Sequence, residues 1–314
     1  MFFWKVSLKA MKMNKEKITL CAFVGTMTVF GTVGILSKSI PLPSGAIAFA
    51  RSSIGFLFLV AFMLVKRAKP NLEAIKKNLT KLILSGICLG ANWIFFFSAC
   101  KVTTIATATL SYYLAPTFII LTAVFIFSEK LTLKKGVCVA LALFGMVLVS
   151  GVLGDSSEGV VYIGIAFGLV AAALYAAVVI LNKLMSNIDP IEKTLVQFFV
   201  SSVVLLPYVF FFEGVGSIEL SPKIVMFLLI LGVVHTGIAY VLYFGSASIL
   251  SAQTMAIYSY IDPIVSIIVS VLVFSESIGL GQIIGAVLII GSALVAEVDF
   301  DFKKLLNANK GAQK

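Results

Sequence analysis

The sequence has little charge and few of the side chains that enzymes use. Only 12% of its 314 residues are charged, and it contains one histidine and four cysteines. It lacks H-E-x-x-H, G-x-S-x-G and Walker A motifs, a C-x-x-C pair and an acidic metal cluster. These absences argue against an enzyme, an ATP-driven pump and a metal site. They predict that the protein uses no cofactor and no metal.

Hydrophobic residues make up 60% of the chain, and the mean hydropathy of +1.10 exceeds that of soluble domains. A bilayer span takes about 20 apolar residues, so ten spans would use roughly 200 positions and leave no room for a separate soluble domain. The chain is therefore expected to contact the lipid bilayer. The net charge of +10 then reflects membrane topology, and no nucleic-acid partner is expected.

Ten apolar stretches can be marked between charged and turn residues, and each is long enough for a helix. Strict two-residue alternation is missing, which argues against barrel strands. The predicted fold class is an all-α integral membrane protein with ten transmembrane helices. The stretches cover residues 18–37, 44–65, 81–100, 103–127, 136–153, 159–182, 194–212, 223–246, 251–274 and 278–297.

Lysine and arginine are distributed unevenly among the loops. With the N-terminus inside, 20 of the 24 basic residues fall on the cytoplasmic side, and only Lys38, Lys101 and Lys223 fall outside. This bias predicts cytoplasmic termini in a multi-pass protein of the cell membrane. The basic tail, residues 1–17, is either an interfacial amphipathic helix or disordered, and residues 298–314 form a second cytoplasmic tail.

The chain contains an internal repeat. Residues 107–129 align without a gap to residues 254–276, with identities that include Tyr113/Tyr260, Pro116/Pro263 and Glu129/Glu276. ILSK at 35–38 likewise matches ILNK at 180–183. The predicted repeats cover residues 18–153 and 159–297. Because each has five helices, an odd number, the second must be inverted in the membrane.

Inverted repeats are typical of carriers that open to each side in turn. An intramembrane Pro thirteen residues before a Glu in both repeats, with a Gly/Ala-rich fifth helix, resembles the EamA-type branch of the drug/metabolite transporter (DMT) superfamily. The resemblance covers about residues 18–297. It implies a ten-helix permease with a central cavity, often a metabolite or amino-acid efflux protein. Arg51 also resembles an arginine common in the second helix of such proteins, and the second repeat has Gln197 there.

Polar groups inside spans are costly and therefore informative. Asn92, Tyr112, His235 and Asp262 lie between nine and twelve residues into their stretches, near the predicted midplane. Helical phase places Tyr258, Ser259 and Asp262 on one face, with Tyr260 directed away from it. The candidate substrate-binding residues are Asn92, Tyr112, Tyr175, Tyr258 and Ser259, and the candidate proton-coupling or charge-site residues are Asp262, His235 and Arg51.

Each candidate also has a structural interpretation. Asp262 either couples protons or binds a cationic substrate group, or else it is a structural acid that is paired with Arg51 or hydrogen-bonded to Tyr258. Arg51 could instead extend to the outer interface, His235 could be a satisfied core residue, and Asn92 could join two helices. The predicted function is secondary transport of a small metabolite such as an amino acid, with export direction and protons as a candidate coupling ion. The alternatives are a channel and a non-transporting membrane receptor.

Overall fold

The computed structural model describes residues 2–128, 131–149, 159–214 and 220–297. Glu129 of the sequence repeat lies outside these residues. The described elements are α-helical with two π-helical segments, as expected for long apolar stretches. They are α1 (Phe2–Gly31), α2 (Val33–Ser39), α3 (Ser44–Val65), α4 (Leu72–Lys77), α5 (Leu79–Val102), α6 (Ile105–Tyr112), α7 (Ala115–Ile126), α8 (Leu133–Val149), α9 (Gly159–Lys183), α10 (Pro190–Tyr208), a π-helical segment (Val209–Gly214), α11 (Pro222–Leu229), a second π-helical segment (Ile230–Ile238), α12 (Ala239–Ala247), α13 (Ala252–Ser259), α14 (Ile261–Phe274) and α15 (Leu280–Glu297).

Eight helical stretches within the described residues are long and apolar enough to cross a membrane. Two further predicted stretches correspond to the shorter helices α8 and α15, of 17 and 18 residues. Large apolar side chains cover the outside of the bundle: Phe125 and Leu272, for example, are 82% and 75% exposed. Such a surface suits contact with lipid. The all-helical membrane class is therefore confirmed, whereas the count of ten spans remains a prediction.

The fourth and ninth stretches are each broken at the repeated proline. Helix α6 ends at Tyr112 and α7 begins at Ala115, next to Pro116; α13 ends at Ser259 and α14 begins at Ile261, close to Pro263. A proline lacks the amide donor and clashes with the preceding turn, so the helix bends there. Both repeat-equivalent prolines therefore lie next to a break in the helix.

Three other local features recur between the halves. Ser128 and Ser275, which are equivalent in the repeat, both adopt the left-handed conformation, with φ of 53° and 52°. The ammonium of Lys38 lies 5.3 Å from the ring of Phe274, and that of Lys183 lies 4.3 Å from the ring of Phe127. The N-caps of α6 and α13 also match, since Thr104 binds the Thr107 hydroxyl and Ser251 binds the Thr254 hydroxyl, both at 2.8 Å.

The connections between helices gather at two ends of the bundle. At one end, Lys38 contacts Glu276 and the Thr103 carbonyl, and Gly45 donates to Glu213. We name this the Lys38 end. At the other, Lys81 donates to the Leu184 carbonyl, Asn78 donates to the Ser186 carbonyl, and Lys183 lies over Phe127. We name this the Lys183 end.

Helix packing also follows the repeat. Helix α3, in the second stretch of the first repeat, packs against the second π-helical segment, in the third stretch of the second repeat. Its counterpart α10 packs in the same way against α5, in the third stretch of the first repeat. Helices α8 and α15, the last of each repeat, pack against each other, with the Gly145 and Gly285 backbones in contact. At Gly55 a side chain would meet the Thr236 methyl at 2.6 Å. The small residue lets α3 approach the second π-helical segment closely enough for Arg51 to reach it.

Candidate functional site

An aromatic cluster occupies the middle of the bundle, where the broken helix α6/α7 meets α5 and α9. The ring of Tyr112 lies 5.0 Å from that of Phe96, 5.7 Å from that of Tyr175 and 6.2 Å from that of Tyr113. Tyr113 in turn lies 6.5 Å from its repeat equivalent, Tyr260. Tilted and edge-on pairs at these separations are favourable aromatic contacts. The structure thus brings the predicted residues Tyr112 and Tyr175 together.

The Tyr175 side chain leaves room for a ligand. It is 37% exposed although its ring packs on Tyr112. Its electrostatic neighbours include Tyr240, Tyr243 and Asp262, which belong to the second half of the chain. We infer from this exposure that Tyr175 borders an interior space between the two halves. Such a space, walled by aromatic rings with a few polar groups, is typical of a small-molecule site.

Arg51 is 5% exposed and does not extend to the membrane interface. Its Nε donates to the Thr236 hydroxyl at 2.9 Å, and its guanidinium lies 4.5 Å from the Trp93 ring centroid and 5.9 Å from that of Phe97. These contacts fix the plane of the guanidinium over an indole, which is the strongest aromatic partner for a cation. Among the described residues, no carboxylate forms an ion pair with it.

Asp262 lies at the start of α14, directly after the break, and is partly buried. Its carboxyl group interacts with the Tyr113 hydroxyl, and Arg51 is near enough for a Coulomb interaction without a direct ion pair. Gly31 at the end of α1 allows close packing here, because a side chain there would lie 2.6 Å from the Asp262 carbonyl. Asp262 and Arg51 therefore bring opposite charges to one interior region from two different helices.

Asn92 is 1% exposed and joins helices within the site. Its amide donates to the Ala171 carbonyl of α9 at 2.7 Å, and it interacts with the Tyr112 hydroxyl. Both contacts hold parts of the aromatic wall in place. This geometry favours the helix-joining interpretation, with Asn92 orienting Tyr112.

His235 is 5% exposed and lies in the second π-helical segment. Its Nδ1 is 3.2 Å from the Ile230 carbonyl, which can only accept, and its Nε2 is 2.9 Å from the Thr32 hydroxyl. A neutral imidazole with its proton on Nδ1 donates to Ile230 and can accept at Nε2 if the Thr32 hydroxyl turns to it from the Val29 carbonyl, which lies 2.8 Å from the same hydroxyl. The next residue, Thr236, is the one that holds Arg51. The arrangement favours a structural role for His235 in locking α1 to this segment.

Tyr258 and Ser259 end α13 and are partly buried, one turn from Asp262. Sequence reasoning did not select Tyr113, Tyr240 or Thr236, which contact or neighbour the two charged groups. For Tyr113 the repeat offered a signal, because its equivalent is also a tyrosine. Tyr240 and Thr236 gave no such signal, since only the π-helical turn determines which way they face.

A second cluster closes the Lys38 end. The Lys38 ammonium lies 2.6 Å from Glu276 Oε1, with the two side chains 25% and 8% exposed. The same carboxylate accepts from the amide of Ile105, at 2.9 Å to Oε2. Glu276 thus caps the start of α6, where the helix dipole favours an anion. The same side chain pairs with Lys38 at the end of α2. In the sequence, Lys38 belongs to the few outer basic residues and Glu276 to the internal repeat, and neither feature indicates that the two pair.

A helical bundle with apolar outer surface, broken helices and an interior aromatic space with two charges defines a multi-pass membrane protein of the transporter class. Comparison with protein families is more specific. Residues 17–151 and 162–297 match the EamA-like transporter family, and the chain belongs to that family. The two matched regions follow the predicted repeats, and the resemblance to the EamA branch is confirmed.

Several relatives share most of the chain's length. An uncharacterized transporter YxxF of Bacillus subtilis is 30% identical over 278 residues, 88% of each chain. An uncharacterized transporter of Archaeoglobus fulgidus is 27% identical over 88% of this chain and 94% of its own. The protein RarD of Salmonella typhi is 24% identical over 77% and 81%. A crystal structure that covers 88% of this chain and 96% of its own, at 20% identity, has a TM-score of 0.63 and supports the fold alone.

Proposed function

We propose that this protein is a secondary active carrier that moves a small metabolite, such as an amino acid or a related compound, across the cell membrane by alternating access. In this proposal both termini are cytoplasmic, the Lys38 end faces outside and the Lys183 end faces the cytoplasm. The observation that carries the proposal is a difference between the two ends, at positions that the sequence repeat makes equivalent.

At the Lys38 end, α6 and α14 are in contact across the bundle. The Thr109 hydroxyl lies 2.8 Å from that of Ser266, and both residues are buried. The Lys38–Glu276 ion pair adds a second connection, closer to the Lys38 end than this contact. Together these bonds separate the interior space from the outer side.

The equivalent positions at the Lys183 end cannot make the same bond. The repeat places Ala256 opposite Thr109 and Ile119 opposite Ser266, so both hydroxyls are replaced by apolar groups. Helices α13 and α7 are the repeat equivalents of α6 and α14. Among the described residues, they pack less closely against each other than α6 and α14 do. We infer a state that is closed outside and open to the cytoplasm, one of the two states that alternating access requires.

The inverted orientation of the repeats is part of the proposal. Lys38 and Lys183 make the same contact with repeat-equivalent phenylalanines, but at opposite ends of the bundle. The lysine-rich loops collect at the Lys183 end, as the positive-inside rule expects of a cytoplasmic side. Export direction rests on the family resemblance. Coupling to protons rests on Asp262, an acid inside the bundle with an interior space beside it.

Transport by the purified protein in liposomes tests the proposal. A thermal-shift screen of amino acids, nucleobases, sugars and organic cations selects a ligand, because a ligand that binds the folded state raises the unfolding temperature. Counterflow of the labelled ligand should then accelerate when unlabelled ligand is present on the far side. Flux without such acceleration would indicate a channel, and binding without flux would indicate a receptor.

The coupling ion is tested with the same preparation. Asp262→Asn keeps the shape and removes the charge, so exchange should persist while accumulation driven by a proton gradient is lost. Glu73→Gln is the matched control, because Glu73 is an exposed acid in α4 at the Lys183 end. If Asp262→Asn accumulates ligand like the wild type between about pH 5.5 and 8, protons are not coupled through this residue.

A further inference from the structure

The hydroxyl of Ser270 is completely buried and has no hydrogen-bond partner among the described residues. Buried hydroxyls usually have a partner, because a hydroxyl that loses its bonds to water and forms no others keeps the full cost of leaving water. That cost applies to any state of the protein in which the hydroxyl is enclosed. It disappears in a state in which water reaches the hydroxyl.

Ser270 lies in the part of α14 that closes the Lys38 end. The buried face of α14 carries Ser266 and Ser270, four residues apart, and the helix packs against α6 and α2. The Ser266 hydroxyl lies 2.8 Å from that of Thr109. On the other side, the Ser270 carbonyl accepts from the Glu276 amide at 3.4 Å, and the Glu276 carboxylate pairs with Lys38. The unpaired hydroxyl is therefore enclosed between the two connections that hold this end closed.

Packing does not require a hydroxyl at this position. The repeat places Ala123 opposite Ser270, and Ala123 is also buried, so a methyl group fills the equivalent position in the other half of the chain. Helical hydroxyls elsewhere in the bundle are paired. Thr26 and Ser202, for example, donate to the carbonyl four residues earlier in their helices. Ser270 therefore differs from its repeat equivalent and from these other helical hydroxyls.

We infer that Ser270 weakens the closed Lys38 end and becomes hydrated when that end opens. This role rests on the proposed transport function and names a residue that sets the populations of its two states. Because the hydroxyl is unpaired only while it is enclosed, its cost falls on the closed state and shifts the equilibrium towards the open one. The bonds of Ser266 and Glu276 act in the opposite direction.

Labelling of Cys100 from outside measures how often the Lys38 end opens. Cys100 is completely buried, and its sulfur would lie 3.6 Å from a side chain at Gly34 of α2. With the other three cysteines replaced by alanine, Ser270→Ala should lower the rate at which an impermeant maleimide labels Cys100 by about fivefold, because the closed state no longer encloses an unpaired hydroxyl. Ser266→Ala, on the same face, should raise the rate, because it removes a bond of the closed state.

Ser292→Ala is the matched control. Ser292 is a buried serine of α15, and its hydroxyl already donates to the Ile289 carbonyl. Its replacement should leave the labelling rate of Cys100 unchanged. The same substitution at three buried serines is thus expected to give a decrease at Ser270, an increase at Ser266 and no change here. A general loss of stability would instead move all three rates in the same direction.

Ser270→Cys tests the hydration directly. The position lies four residues before the end of α14, about 6 Å at 1.5 Å per residue, so a small reagent can reach it once this end opens. In a background without the four native cysteines, the new thiol should react with an impermeant methanethiosulfonate from outside. Glu276→Gln should raise the rate of this reaction, because it removes an ion pair of the closed state.

Two results would overturn this role of Ser270. One is labelling of Cys100 in Ser270→Ala that is as fast as in the wild type or faster. The other is a Ser270→Cys thiol that stays unreactive from outside with and without Glu276→Gln. Should Ser270→Ala fail to fold, Ser270→Cys still decides. Slower labelling of Cys100 in Ser270→Ala, without counterflow of any ligand, would support the role of Ser270 and contradict the carrier.

Discussion

Lys38 and Glu276 are 238 positions apart in the sequence, and their side chains meet at 2.6 Å. The carboxylate also accepts from the Ile105 amide, so one acidic side chain connects the end of α2, the start of α6 and the segment after α14. The left-handed conformation of Ser275 turns the chain just before Glu276. If this end opens during transport, the pair must break in each cycle, and its strength then affects how the two states are populated.

Removing the charge of Glu276 should open the Lys38 end more often. The reporter is native Cys100, which is completely buried next to Ser37 and Lys38. With the other three cysteines replaced by alanine, Glu276→Gln should raise the rate at which an impermeant maleimide labels Cys100 from outside by about tenfold, equivalent to about 1.4 kcal/mol.

Glu73→Gln, at the other end, is the control and should leave the labelling rate of Cys100 unchanged. Equal rates in Glu276→Gln and the wild type would mean that the ion pair does not hold this end closed.

The hydroxyl pair Thr109 and Ser266 should behave as one unit. Thr109→Val and Ser266→Ala each remove the same hydrogen bond, so the double variant should cost less than the sum of the single changes, by about 1 kcal/mol. Thermal unfolding in detergent measures this. The control pair is Thr109→Val with Ser292→Ala. The Ser292 hydroxyl bonds within α15, so the destabilising effects of these two changes should add. Additivity in both pairs would contradict a direct Thr109–Ser266 bond.

Gly31 should tolerate no side chain. A Cβ there would lie 2.6 Å from the Asp262 carbonyl and 2.7 Å from Val265 Cβ. Gly31→Ala should therefore destabilise the protein by about 1–3 kcal/mol and displace Asp262. Gly25→Ala, in the same helix with nothing within 4 Å, should be neutral or stabilising by up to about 1 kcal/mol. Thermal unfolding of the two variants compares them, and equal midpoints would refute the close packing of α1 on Asp262.

The inverted topology predicts opposite labelling of two equivalent sites. Thr132 and Gly279 occupy the same repeat position, one residue before α8 and α15 respectively, and both are exposed. In a cysteine-free background, Thr132→Cys should react with an impermeant maleimide only from the cytoplasmic side and Gly279→Cys only from outside. Labelling of both from one side would remove the basis for alternating access by inverted repeats.

His235 should matter for stability and not for pH dependence. His235→Ala removes bonds to Thr32 and Ile230 and should cost about 1–3 kcal/mol in unfolding free energy. A ring that is neutral and protonated on Nδ1 can keep both contacts when the Thr32 hydroxyl turns from Val29 to Nε2. The pH profile of exchange should therefore keep its wild-type shape in the variant. A shifted profile in His235→Ala would assign His235 to proton transfer instead.

Local and periodic features could be predicted from the sequence. The apolar stretches, the lysine bias and the repeat each depend on neighbouring residues or on a fixed offset, and they indicated an all-helical membrane protein of the EamA-like family. The breaks near Pro116 and Pro263 have an equally local cause, because a missing amide donor acts within one turn. Tyr112 and Tyr175 were selected from helical phase, and they are in contact in the structure.

The partners of the charged groups depend on the tertiary structure. The sequence placed Arg51 and Asp262 inside the membrane but left open whether they pair, and the structure gives them separate partners in Thr236 and Tyr113. The Lys38–Glu276 pair was not anticipated either. Hydrogen bonds require atoms to meet within about 3 Å, and no periodicity specifies which residues hundreds of positions apart will do so. That depends on helix packing, which close contacts such as Gly55 with Thr236 determine.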